Sequence, residues 1–173
     1  MLILGIDPGP RTSGLVLYST DMTGPGVVVQ AVKDASFDTV RQFIDGLADM
    51  ADACVVTERT QAGPPSTQVV LTTEIVGRIM ERCEAQGIKY DTYYRRDVLQ
   101  ALNCARVGNK DSLVRMACIE LHGGDKTSAV GTKKNPGPLY GVSSHAWQAL
   151  GVVCAHVLPW HPSTEGHNEA TND

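Results

Sequence analysis

The sequence predicts an α/β domain on a five-stranded mixed sheet, three antiparallel strands and then two parallel ones, flanked by helices. Three observations carry that expectation. Three apolar or β-branched runs follow one another at turn distance before any helical spacing begins. Two further short apolar runs are each reached through a helix-length segment, a crossover that leaves them parallel to the first strand. The first and fourth runs both end on an acid, Asp7 and Glu58, which parallel strands carry to the same edge.

The elements follow in order. Leu2 to Ile6 is an apolar run that delivers Asp7 to a strand tip, where Pro8-Gly9 turn the chain out of the sheet. Gly14 to Tyr18 returns at hairpin distance, so the Gly-containing turn is pinned beside Asp7. An acid at the tip of a buried strand under such a turn suits a divalent metal or a metal-bound phosphate; the alternative is an Asp that only accepts turn N–H groups. Gly24-Pro25-Gly26 make a turn into a third strand, Val27 to Val32. Ser36 caps a helix with Phe37, Val40, Ile44, Leu47 and Ala51 as its stripe, and Ala53 to Thr57 is a strand covered on both faces that ends in Glu58. A loop holding Gly63-Pro64-Pro65 precedes a long helix with Val69, Thr73, Val76, Met80 and Cys83 inward, closed by Gly87. Ile88 to Tyr94 is the fifth strand, and Arg95 to Asn103 a short helix. Asn109 or Asp111 caps a helix to Leu121 with Leu113, Ala117 and Leu121 buried. Gly123 to Pro138 reads as a long basic functional loop, and Val142 to Val157 as the closing helix with Ala146, Ala149, Leu150 and Val153 on the core. Residues 1–158 therefore form one domain, and 159–173 a polar disordered tail.

Composition narrows the function classes. The 173 residues suffice for one core, and no run approaches a membrane span. The chain starts directly in a strand with no export signal, so cytoplasm is the expected location. Five cysteines without a C-x-x-C pair argue against disulfides and zinc and read as reduced core residues. Net charge is -4, but residues 88–135 carry nine basic and five acidic groups, a local basic field that is either a solvated face or a binding surface.

His145 and Gln148, three apart on the last helix, share a face that can sit over the edge holding Asp7 and Glu58. With these residues in view, the chain resembles the RuvC family of Holliday-junction resolvases, within the RNase H-like nucleases. Ile3-Leu4-Gly5-Ile6-Asp7-Pro8-Gly9 with Gly14 is similar to that family's first motif, and Val55-Val56-Thr57-Glu58 to its second. Asn109-Lys110-Asp111 resembles the lysine-bearing helix start, and Ser144-His145-Ala146-Trp147-Gln148-Ala149-Leu150 fills the slot of the closing motif. The resemblance spans Met1 to about Val157. Two departures stand out: the closing Asp is Gln148, and the junction-wedging aromatic three residues after the motif Glu is Gln61.

The resemblance implies an RNase H-like fold and a metal-dependent endonuclease that resolves four-way DNA junctions by paired symmetric nicks, as a homodimer. Two Mg²⁺ or Mn²⁺ ions about 3.5–4 Å apart would activate water and neutralise the leaving oxygen. Asp7, Glu58, His145 and Gln148 would be metal ligands; Asp7, Glu58, His145 and Lys110 catalytic; and Lys110, Arg95, Arg96, Lys133 and Lys134 would contact DNA phosphates. A His ligand tilts the choice of ion towards manganese. Two rivals remain in view. An actin-like ATPase would need a second copy of the acid turn in a longer chain; a non-catalytic or weakly catalytic branched-nucleic-acid-binding protein of the same fold would fit the loss of the closing Asp.

Overall fold

The structure is a computed structural model that describes residues 1–20, 26–60, 66–104 and 110–158. The expectations placed on Gln61, Asn109, the turn residues Gly24-Pro25, the Gly63-Pro64-Pro65 loop and the 159–173 tail lie outside the described residues. The elements are β1 (Leu2–Asp7), β2 (Ser13–Ser19), β3 (Val27–Ala35), α1 (Phe37–Asp45), β4 (Ala53–Arg59), α2 (Thr67–Gln86), β5 (Lys89–Tyr94), α3 (Arg95–Ala101), α4 (Lys110–Leu121), α5 (Lys126–Ala129) and α6 (Ala146–Val157). The sheet runs β3-β2-β1-β4-β5, with β1 antiparallel to β2, β2 antiparallel to β3, and both β1–β4 and β4–β5 parallel. The mixed sheet expected from the order of apolar runs is therefore the one observed.

Alternation along the strands splits the core in two. Leu4 and Ile6 of β1, Leu15 of β2 and Val55 of β4 face α1 and α2 with Val40, Ile44, Ile79 and Cys83. Ile3, Val16, Tyr18, Cys54 and Val56 face the other way, onto α3, α4 and α6. Because β1 and β4 are covered on both sides, their sequences are apolar without alternation. All ten residues from Ala146 to Ala155 of α6 are buried, the pattern of a helix enclosed on every side rather than a surface helix with one apolar stripe.

Several helix details depart from expectation. α1 ends at Asp45, so Leu47 is buried from the turn that follows and Ala51 is exposed. On α2 the buried residues are Val76, Ile79 and Cys83, while Thr73 is exposed. On α4 the buried pair is Val114 and Cys118, one residue on from the expected stripe, and Leu121 is 39% exposed. Val114 is drawn inward because Gly151 of α6 leaves a side-chain-sized space that its methyl group fills. The segment expected to be an irregular loop holds α5, capped by Asp125, and a Gly131–Pro136 bridge, with Ala129 and Leu139 fully buried. All five cysteines are free and buried, as expected.

Candidate active site

β1 and β4 are paired in parallel register through Ile6 and Thr57, so the next residues, Asp7 and Glu58, lie side by side at one edge of the sheet, still paired to Gly14 of β2 and Tyr93 of β5. Parity places both side chains on the face of Ile3 and Val56, the face that α6 covers. Two close approaches bring the start of α6 over that edge. A Cβ on Gly5 would meet Val153 Cγ2 and, at 2.6 Å, the carbonyl oxygen of Ala149, so only glycine lets α6 cross β1 this closely. A Cβ on Gly14 would collide with the backbone carbonyl of His145, so Gly14 seats the N-terminus of α6 against the start of β2. Ser144, at φ 47°, takes the left-handed backbone that side chains resist, which turns the chain into the helix. α6 begins at Ala146, four residues later than the spacing predicts, and His145 is its N-cap, in helical backbone geometry.

The site that results holds the expected residues together. His145 Nδ1 lies 3.5 Å from Asp7 Oδ2. Asp7 is pushed up to about 7, first by burial and then by the charge of Glu58, with His145 and Arg95 opposing. Glu58 is raised by burial, with Arg95 pulling the other way. Gln148 is 9% exposed on the first turn of α6.

Arg95, expected on the DNA backbone, is turned inward. It opens α3 one residue past Tyr94, the last residue of β5 paired to β4, and has the parity of Tyr93 on the α6 face. Its Nη1 donates to Glu58 Oε2 at 3.2 Å and to Gln148 Oε1 at 2.7 Å, and its Nη2 donates to Asp111 Oδ1 at 2.6 Å. The side-chain oxygen through which Gln148 was to hold a metal therefore accepts from a guanidinium. Lys110 is exposed at the start of α4, directly before Asp111. Arg96 points outward, pairs with Asp97 and lies over the Tyr94 ring at 5.5 Å; Lys133 and Lys134 are exposed on the turn closed by the Gly131–Pro136 bridge.

Two clefts meet at His145. One, of about 640 Å³, is lined by Asp7, the 8–12 turn with Arg11, and Thr67, Gln68 and Leu71 of α2. The other, of about 450 Å³, lies between Asp111, Ser112 and Arg115 of α4 and residues Ser143 to Gln148, with Arg115 stacked 5.1 Å over Trp147. Arg11, in the turn after Asp7, and Arg115, just past the lysine-bearing helix start, were given no role from the sequence, and only the tertiary fold brings them to the site.

The donor set bears on a metal. Two carboxyl groups stripped of water beside one another gain from a divalent cation, and hard oxygen donors with one imidazole suit Mg²⁺ or Mn²⁺. Among the described residues, however, no group of three or more His, Cys, Asp or Glu side chains converges to hold an ion by itself. Asp7, with Glu58 and His145 at hand, fits one ion completed by water or phosphate oxygens.

No protein-family model and no curated protein matches the sequence. Solved structures do match. The Thermus thermophilus RuvC structure aligns over 91% of this chain and 94% of its own, with a TM-score of 0.66 and 18% identity. The T. thermophilus RuvC in complex with a Holliday junction substrate aligns over the same shares, with a TM-score of 0.64 and 16% identity. The fold is thus the RuvC type of the RNase H-like architecture.

Proposed function

We propose that this chain, a divergent protein of the RuvC-type fold, binds branched DNA and hydrolyses it weakly in a reaction that depends on a divalent metal. The observation that carries the reading is the meeting of Asp7, Glu58 and His145 at one sheet edge, between two clefts that each hold an arginine. Weak turnover is favoured over full resolvase activity because Gln148 brings no charge and Glu58 already carries an Arg95 ion pair.

Asp7, supported by Glu58 and His145, would hold the ion, which supplies a polarised phosphate and a more acidic bound water. With Nδ1 turned to Asp7, His145 would present Nε2 to the attacking water. Its side chain is 60% exposed, which leaves that nitrogen accessible to solvent and substrate. Arg11 and Arg115 flank the edge as phosphate contacts, with Lys110, Arg96, Lys133 and Lys134 further out. Paired cuts at a four-way junction would require a homodimer.

The test is nicking and binding of a four-way junction against a linear duplex, in Mn²⁺ and Mg²⁺. The junction is expected to bind more tightly than the duplex, with affinity falling on a log–log salt plot by about 0.9 per phosphate contact. Slow Mn²⁺-dependent nicks are expected to vanish in Asp7→Asn while junction binding stays within a few-fold. Equal affinity for junction and duplex overturns the reading, as does nicking that survives Asp7→Asn.

A further inference from the structure

Arg95 gathers oxygen donors from three separate elements: Glu58 from the tip of β4, Gln148 from the first turn of α6 and Asp111 from the first turn of α4. These are the donor types that a hard divalent ion takes. Resting on the reading that Asp7 and Glu58 form a cation-binding edge, we propose that Arg95 is a resident cation of that edge. It occupies the Glu58, Gln148 and Asp111 side and leaves room for a single divalent ion, on the Asp7 side.

The chemistry is consistent on both partners. A guanidinium is charged at every relevant pH and offers donors in a rigid fork. Here Nη1 spends its two hydrogens on Glu58 and Gln148, and Nη2 reaches Asp111. A divalent ion bound by the same oxygens would have to displace those hydrogen bonds and sit against a positive charge in a poorly solvated place, where Arg95 is only 22% exposed. Gln148 fits the same arrangement. An amide oxygen accepts from the guanidinium without adding a third negative charge to the two carboxylates that already share the single charge of Arg95. The residue that departs from the resembled motif and the arginine that bonds to it are thus one feature, and the ion count of the site follows from it.

An arginine acting only as a structural strut would leave ion binding unchanged, so the test counts ions. Mn²⁺ is titrated into the full-length protein by calorimetry and by paramagnetic resonance of the free ion, and the ions retained by an Asp7→Asn/Glu58→Gln double variant are subtracted as binding elsewhere. The wild type is expected to hold at most one ion at this edge. Arg95→Met, of similar length and no charge, is expected to hold one more, and Arg95→Lys, which keeps the charge, to match the wild type. Two ions in the wild type overturn the proposal. So does an Arg95→Met protein that melts cooperatively and binds no more Mn²⁺ than the wild type. Where Arg95→Met does not fold, Arg95→Gln is read in its place: one more ion is expected, and a count equal to the wild type overturns the proposal. Junction binding and nicking are read separately: their absence removes the proposed function, whereas an Arg95-dependent ion count stands or falls without them.

Discussion

Gln148 is the residue on which the site's stability and chemistry meet. It is nearly buried, and its Oε1 takes a 2.7 Å charge-assisted hydrogen bond from Arg95. Gln148→Leu keeps the bulk and removes the acceptor, leaving an N–H of a poorly solvated guanidinium without its partner, at a cost of about 1–3 kcal/mol. Urea unfolding should show that loss, and Gln148→Glu should recover most of it; a Gln148→Leu midpoint equal to the wild type would mean that Arg95 finds another acceptor at no cost. At this scale the sequence is informative about which residues meet and less so about what they do there. Asp7, Glu58 and His145 are legible because each ends a strand or opens a helix. The partnership of Arg95 with Gln148 spans 53 positions and joins α3 to α6, and it becomes visible only once β5 is paired to β4 and strand parity is followed past Tyr94.

Element positions in this fold are set by close approaches more than by periodicity. The start of α6 depends on Gly14 and its crossing of β1 on Gly5, and both glycines could be assigned to turn or strand from the sequence but not to the helix they admit. Gly5→Ala pushes a methyl group into Val153 and the Ala149 carbonyl, and overpacking of this kind costs about 1–3 kcal/mol. Gly14→Ala acts on function as well, because the backbone it displaces carries His145 away from Asp7. The expected outcome for Gly14→Ala is a loss of nicking larger than its loss of stability accounts for, measured at a temperature where both proteins are fully folded. Nicking that falls only in proportion to the folded fraction would show that His145 does not depend on this contact. The same logic explains the one-residue error on α4. Leu113, Ala117 and Leu121 have helical spacing, yet the space above Gly151 and the position of α6 select Val114 and Cys118. Strand direction, by contrast, follows from the succession of runs and the helical crossovers and was legible, whereas the order β3-β2-β1-β4-β5 came only with the structure.

On the scale of the molecule, the two-sided core keeps two histidines neutral, and each contributes a stability that is lost in acid. His122, just beyond α4, is 4% exposed; its Nδ1 is 2.7 Å from the Cys118 carbonyl and its Nε2 is 2.7 Å from the Tyr18 hydroxyl of β2. A carbonyl can only accept, so Nδ1 carries the proton and Nε2 accepts from Tyr18. Burial holds His122 below the usual histidine range, with the Cys118 carbonyl opposing, and holds Tyr18 above the usual tyrosine range. His156 on α6 is likewise lowered by burial, with Asp91 opposing, and meets Tyr93 at 2.8 Å. For a histidine lowered in the folded state the sign follows directly. Above about pH 6.5 both folded and unfolded chains are neutral at this site and it contributes no pH dependence. Below that, the unfolded chain binds a proton that the folded chain refuses, so stability falls as pH drops towards the folded-state pKa and levels off beneath it. Asp7 and Glu58, raised in the folded state, work the other way and favour the folded chain as pH falls, so the histidine contribution is read as a difference between proteins in urea unfolding in metal-free buffer. His122→Gln, which cannot take up a proton, should be less stable than the wild type at pH 7, by a difference that narrows as pH falls. Parallel curves for the two proteins would show that His122 is not held neutral by its burial, and that the acid sensitivity of the fold arises elsewhere.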